Sequence, residues 1–154
     1  MNRFEERLQE FMDRNGVEAE HLVFEESCHS VEEAAAAANA APEDFVKSIC
    51  MIDDQERLIV AIVKGEDRAS TSRVAKALNI ETLRTATPQE ILEKTGYVCG
   101  GVPSFGYEAV FLIDPKVMEK DAVYTGGGSE NSLVRISPAE MQRINGGMIV
   151  KVRK

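Results

Sequence analysis

The sequence predicts an α+β fold built on a mixed sheet, and three observations carry that reading. Two apolar runs rich in β-branched residues, 45–52 and 58–63, flank the polar stretch Asp53-Asp54-Gln55-Glu56 and read as a β-hairpin. Both faces of each run are apolar, with Phe45, Ile49 and Met51 on one side and Val46, Cys50 and Ile52 on the other. Strands of that kind are covered on both faces, which puts the pair at the centre of the sheet. Finally, segments of helical period with capping signatures alternate with short strands along the chain.

The elements follow in order. Phe4, Leu8, Phe11 and Met12 recur at helical spacing, and Asn15-Gly16 supplies a stop. Residues 21–25 predict a short strand. Ser30-Val31-Glu32-Glu33 reads as a capping box opening a helix through Ala38, and Pro42 ends that segment. After the hairpin, residues 70–78 predict a helix with Val74, Ala77 and Leu78 on one face and Asn79 as its stop. Thr87-Pro88-Gln89-Glu90 opens a second capped helix, halted by Gly96. Residues 108–113, 122–125 and 133–136 predict strands, Ser137-Pro138-Ala139-Glu140 opens a third capped helix, and residues 148–152 predict a terminal strand. With 154 residues and no repeat or linker, a single domain over residues 1–154 is expected.

Composition narrows the classes. No apolar run approaches the roughly 18 residues that a spanning helix needs, so no membrane partner is expected. The N-terminal stretch is charged and amphipathic, unlike a signal peptide. Cys28, Cys50 and Cys99 form no CxxC pair, which fits a reducing cytoplasm. His21 and His29 are too few and too poorly spaced for a metal site, so neither metal nor cofactor is expected. The net charge of −8 is unevenly placed: residues 1–45 hold twelve acids and three bases, and the rest is nearly balanced. Lys64, Arg68, Arg73 and Lys76, with Lys151, Arg153 and Lys154, therefore form either a solvated mixed surface or a local basic face for phosphate.

Two features point to a ligand. Alternation places Lys47 on the face of Phe45, Ile49 and Met51, where it must snorkel outward, meet an acid, or line a polar cavity. Two glycine clusters, at residues 96–106 and 126–128, read either as structural turns or as loops whose N–H groups converge on an oxygen. Neither matches a phosphate loop or a dinucleotide fingerprint. His29 beside Cys28 is not a dyad, since neighbours on an extended segment point apart, and Cys99 has no evident base.

The order of FVKSICMID, RLIVAIVKGEDRAS, GYVCGGVPSFGY, the GGG turn and LVRISPAEM resembles the YbaK / prolyl-tRNA-synthetase-associated editing domain family over roughly residues 30–150. The resemblance implies a curved, partly barrel-like mixed sheet surrounded by helices. It also implies a cytoplasmic aminoacyl-tRNA deacylase acting in trans on a mischarged ester, such as alanyl- or cysteinyl-tRNA for proline. Aminoacyl-tRNA is then the partner, with an aminoacyl-tRNA synthetase as a second. Lys47 matches the family's active-site lysine, expected at the tRNA 3′ end, and Ser48 falls where relatives carry a small polar residue. Gly100, Gly101 and Pro103 match the family's glycine-proline loop, expected to line the carbonyl site; Val102 and Ile49 are expected in the pocket wall. Near Thr125-Gly126-Gly127-Gly128-Ser129 several relatives place a histidine, or a serine followed by two glycines; this chain has no histidine there, either Thr125 or Ser129 replaces the hydroxyl, and Thr125, Gly127 and Ser129 are expected as substrate contacts. A silent aminoacyl-binding module of the same fold, and an interaction protein docking through its acidic N-terminal helix, are the alternatives.

Overall fold

The computed structural model describes residues 1–154. In chain order the elements are α1 (Arg3–Arg14), β1 (Ala19–Val23), α2 (Val31–Ala38), a 3-10 turn (Pro42–Asp44), β2 (Val46–Asp53), β3 (Leu58–Lys64), α3 (Thr71–Leu78) and β4 (Leu83–Thr85). There follow α4 (Pro88–Thr95), β5 (Val110–Ile113), α5 (Pro115–Met118), β6 (Val123–Gly126), β7 (Ser132–Ile136), α6 (Pro138–Asn145) and β8 (Met148–Ile149).

The hairpin β2–β3 pairs from Val46↔Lys64 to Ile52↔Leu58 and occupies the interior of a five-stranded sheet ordered β4-β2-β3-β5-β8. Antiparallel β4 and β2 meet parallel β5 and β8 there, so the sheet is mixed. A second, antiparallel sheet runs β1-β7-β6. The two sheets touch through one bridge, Phe45↔Tyr124, and do not close into a barrel. The mixed sheets and surrounding helices are as expected, without a closed barrel: β4 pairs only with Met51–Asp53, and the bridge to β6 is made by Phe45, just before β2.

Capping chemistry sets most helix starts. Thr87 and Glu90 exchange both hydrogen bonds of a capping box, and so do Asn2 and Glu5. Ser30 caps Glu33 N–H without a return bond, and the Glu140 carboxylate is diverted to Glu18 N–H and Arg143. Asn39 and Asn79 end α2 and α3 in the left-handed conformation that Asn tolerates. Where strand 148–152 is expected, only Met148 and Ile149 pair with β5; beyond them the chain bridges to Ala69 through Arg153, and the Asp114 carboxylate accepts from Val152 N (3.0 Å) and Arg153 N (3.2 Å). The first strand also starts two residues early, pulled into register by Ala19↔Ile136.

Apolar periodicity on β2 and β3 is resolved into two cores. Val46, Cys50, Ile52, Val60 and Ile62 pack with Leu8, Met12 and Ile91 beneath α1 and α4. Met51, Ile59, Ala61 and Val63 pack with Val74 of α3 and Val152 on the other face. Covering both faces of one hairpin in this way explains why Ile59 through Val63 are fully buried.

Candidate active site

The pairing of β2 leaves one stretch of its outer edge uncovered. Asp53 N bonds Arg57 O and Phe45 O accepts from Gly65 N, so odd residues turn their main-chain groups toward β3. Even residues turn theirs outward: Cys50 O takes Ala86 N at 2.9 Å, and the main chain of Ser48 faces the gap between β4 and β6. A cavity of about 340 Å³ occupies that gap, walled by β2, α2, the start of α4, the glycine-rich loop and β6.

Lys47, Ser48, Ile49, Gly100, Val102 and Thr125 all line this cavity. No aspartate or glutamate does. Lys47 is half-buried, and its ammonium takes part in no hydrogen bond or ion pair within the chain, whereas Lys64, Lys120 and Arg153 are each paired with a carboxylate. In a chain of net charge −8, an unpaired cation in an acid-free cavity creates a local site for an anionic group.

Gly101, Pro103, Gly127 and Ser129 lie outside the wall. The Gly101 N–H donates to Val98 O (2.9 Å) and its carbonyl accepts from Gly128 N (2.8 Å), so it has no donor to offer an oxyanion. Its neighbours do: Gly100 N–H and Val102 N–H have no partner in the chain, and both residues line the cavity. Ser129 is buried away from the site, its hydroxyl donating to Glu5 Oε2 (2.5 Å). Tyr107 O–H donates to the Pro103 carbonyl (2.6 Å) and holds the loop.

The two glycine clusters are one structure. A Cβ on Gly126 would strike the Val102 carbonyl, and one on Gly101 would lie 2.7 Å from the Ser129 main chain. Glycine is required because backbone packs on backbone. Gly100, at φ +91°, sits under the His29 ring, and His29 Nδ1 lies 3.5 Å from Glu130 Oε1 at the cavity rim. A histidine therefore reaches the site from the loop before α2, although it is remote in sequence from the GGG turn.

Sequence reasoning passed over other wall residues. Thr85, Ala86, Pro88 and Ile91 come from β4, the link after it and α4, and the three-residue β4 is too short to show a period. Ser104, inside the glycine-rich motif, is fully buried and bonds both Ser48 Oγ (2.9 Å) and Thr125 Oγ1 (2.6 Å). Cys28, Cys50 and Cys99 also line the cavity. Burial and the nearby Cys99 push the Cys50 thiol up to about 12, so it stays protonated.

Residues 25–144 match the family model of the aminoacyl-tRNA editing domain, and the chain belongs to that family. Among individual proteins it is similar to the uncharacterized protein YwhH of Bacillus subtilis, 25% identical over 79% of this chain and 78% of that one. It also resembles the proline–tRNA ligase of Thermotoga maritima, 24% identical over 67% of this chain but only 18% of the ligase. Two solved structures share the fold: hypothetical protein APE2540 (TM-score 0.88, 26% identity, 96% of this chain and 99% of that chain) and a candidate trans-editing enzyme for prolyl tRNA synthetase (TM-score 0.92, 24% identity, 100% and 99%).

Proposed function

We propose that this protein is a trans-acting aminoacyl-tRNA deacylase that hydrolyses the ester of a mischarged tRNA for proline. The observation that carries the reading is the unpaired Lys47 ammonium in an acid-free cavity, beside two unpartnered N–H donors at Gly100 and Val102. Lys47 holds the phosphate or ribose of the tRNA 3′ end, as a point charge on a flexible stem. The ester carbonyl turns its oxygen toward Gly100 and Val102 N–H, which stabilise the charge that develops as water attacks. One such donor is worth roughly 10²–10³ in rate. The leaving group is the ribose oxygen, which takes a proton from solvent or from its neighbouring hydroxyl. No side-chain nucleophile is needed, and the protonated Cys50 is a poor one.

Apolar wall residues Val46, Ala86, Ile91 and Val102 limit the volume available to the aminoacyl side chain. The editing-domain family and the likeness to a candidate trans-editing enzyme support the same reading, with a synthetase as a further partner and the cytoplasm as its place. A silent binding module is the second reading, favoured by the absence of any carboxylate in the wall. Deacylation of alanyl-, cysteinyl-, seryl- and prolyl-tRNA by wild type and Lys47→Ala decides between them. Hydrolysis of at least one ester, slowed at least about tenfold in the variant, establishes the enzyme; tight binding with no hydrolysis establishes the module.

A further inference from the structure

Resting on the deacylase reading, we propose that His29 is the general base of the reaction, oriented by Glu130 and placed beside the Gly100 N–H that receives the ester oxygen. Among the side chains that line the cavity, six titrate: Cys28, His29, Lys47, Cys50, Cys99 and Tyr124. The Lys47 ammonium has no lone pair to offer. Burial raises the Cys28 and Cys50 thiols, which therefore stay protonated. A free thiol and a phenol are ordinarily protonated at neutral pH as well, whereas an imidazole is the group able to take a proton there. By elimination the wall holds one base, His29.

Its position is fixed by two neighbouring loops. Phe24 N–H donates to the Asn131 carbonyl (2.8 Å), and the Asn131 side-chain amide donates back to the Phe24 carbonyl (2.8 Å). Cys28 N–H donates to the Glu130 carbonyl (2.5 Å). The loop before α2 is thus zipped to the β6–β7 turn, and across that seam His29 Nδ1 lies 3.5 Å from Glu130 Oε1. Ser30, the next residue, caps α2 and holds the loop from its other end. The ring rests on Gly100, where any Cβ would strike it, so the imidazole stands directly beside a free N–H donor. About half of the ring remains exposed, which leaves it open to water.

The two ring nitrogens then have different tasks. A carboxylate beside Nδ1 favours the tautomer with its hydrogen there, which leaves the lone pair on Nε2. Nε2 has no hydrogen-bond partner in the chain. It takes a proton from a water whose oxygen bonds to the ester carbon, and the carbonyl electron pair moves onto the oxygen held by the Gly100 and Val102 N–H groups. Collapse of that oxyanion breaks the bond to the ribose oxygen. The ribose oxygen gains a proton and the imidazolium releases one, so a single water is consumed per ester. Glu130 steadies the imidazolium while it lasts. The other charged and titratable groups around the ring are Glu26 and Glu33, close to the adjacent Cys28, with Cys99 and Lys47 in the same wall.

The test measures kcat/KM against pH on the most susceptible ester of the alanyl-, cysteinyl-, seryl- and prolyl-tRNA panel. Wild type, His29→Gln, His29→Ala and Glu130→Gln are assayed, each checked for folding by its thermal melt. His29→Gln should lose about 10²-fold, the lower end of what a positioned base supplies, and should lack an ionisation through which the wild-type rate rises with pH. Added imidazole should accelerate His29→Ala at least about tenfold and leave Lys47→Ala unchanged, because it replaces a base and not a cation. Glu130→Gln should cost about two- to fivefold, the size expected of an exposed ion pair. A loss under about tenfold in His29→Gln, a pH profile that this variant shares with wild type, or no imidazole rescue overturns the inference while the deacylase reading stands. An unchanged rate in Glu130→Gln overturns the orienting role. If wild type cleaves no ester at all, the deacylase reading fails and the inference falls with it.

Discussion

Lys47 sits on the face that its alternation in β2 assigns, and it reaches a cavity there because the strand beside it is missing. Replacing it with alanine removes a hydrogen bond to a charged group, worth about 1.5–3 kcal/mol, so kcat/KM for a susceptible ester should fall about ten- to hundredfold. The protein should remain folded, because the Lys47 ammonium makes no contact that stabilises the chain. Steady-state kinetics and a melt on the same sample check both halves. The three thiols offer a second measurement. Cys28 and Cys50 are buried with raised pKa values, for which burial is the main cause, and Cys99 is exposed. Ellman's reagent should titrate one thiol rapidly in the native protein and all three in denaturant. Rapid loss of two or three native thiols would contradict the burial of Cys28 and Cys50.

The glycine clusters and α1 work as connected elements. Gly126 packs against the Val102 carbonyl, and α1 clasps the far side of the same turn through Glu5, whose carboxylate takes Ser129 Oγ and the Asn2 N–H. His21 Nε2–H donates to the Gly127 carbonyl at 2.8 Å and adds a third tie. Gly126→Ala should therefore cost about 1–3 kcal/mol by overpacking and also abolish deacylation, because the loop that carries Val102 N–H must move. Chemical denaturation and the ester assay measure the two effects. Leu8, fully buried under α1, tests the clasp from its apolar side: Leu8→Ala should destabilise by about 2–5 kcal/mol. A loss below 1 kcal/mol would mean that α1 is only loosely attached.

Across the molecule, carboxylates held below their ordinary range tie stability to pH. The Arg84 guanidinium and the Thr87 N–H hold Glu90 down to about 2, and Arg143 with the Glu18 N–H does the same for Glu140. At Asp114 burial pushes the carboxyl up, but hydrogen bonds from Val152, Lys116 and Arg153 outweigh it and the net shift is down. A depressed folded pKa contributes stability above the unfolded value, roughly 4, and loses it as the pH falls through the folded value. Denaturant midpoints should thus be flat from about pH 6 to 5 and fall from about pH 4 toward 2. Asp114→Asn should remove part of that slope and loosen the C-terminal segment, whose main chain it holds. An unchanged acid profile in that variant would show that the linkage lies elsewhere.

The hairpin, most of the helix starts and stops, and the family resemblance were legible in the residues, because those signals are local. Apolar periodicity, capping side chains and left-handed Asn or Gly act within a few positions of the chain. Lys47 as a cation on an apolar strand, and the two glycine clusters as turns or ligand loops, were also visible in the residues. Which of the loop's N–H groups is free, however, depends on the turn in which Gly101 N–H donates to Val98 O, a bond that residue order does not reveal. The same holds for the short β4, for the arrival of His29 over Gly100, and for the joining of Ser48, Ser104 and Thr125 into one hydroxyl chain. These last three are meetings of segments 20 or more residues apart, and only tertiary packing decides them.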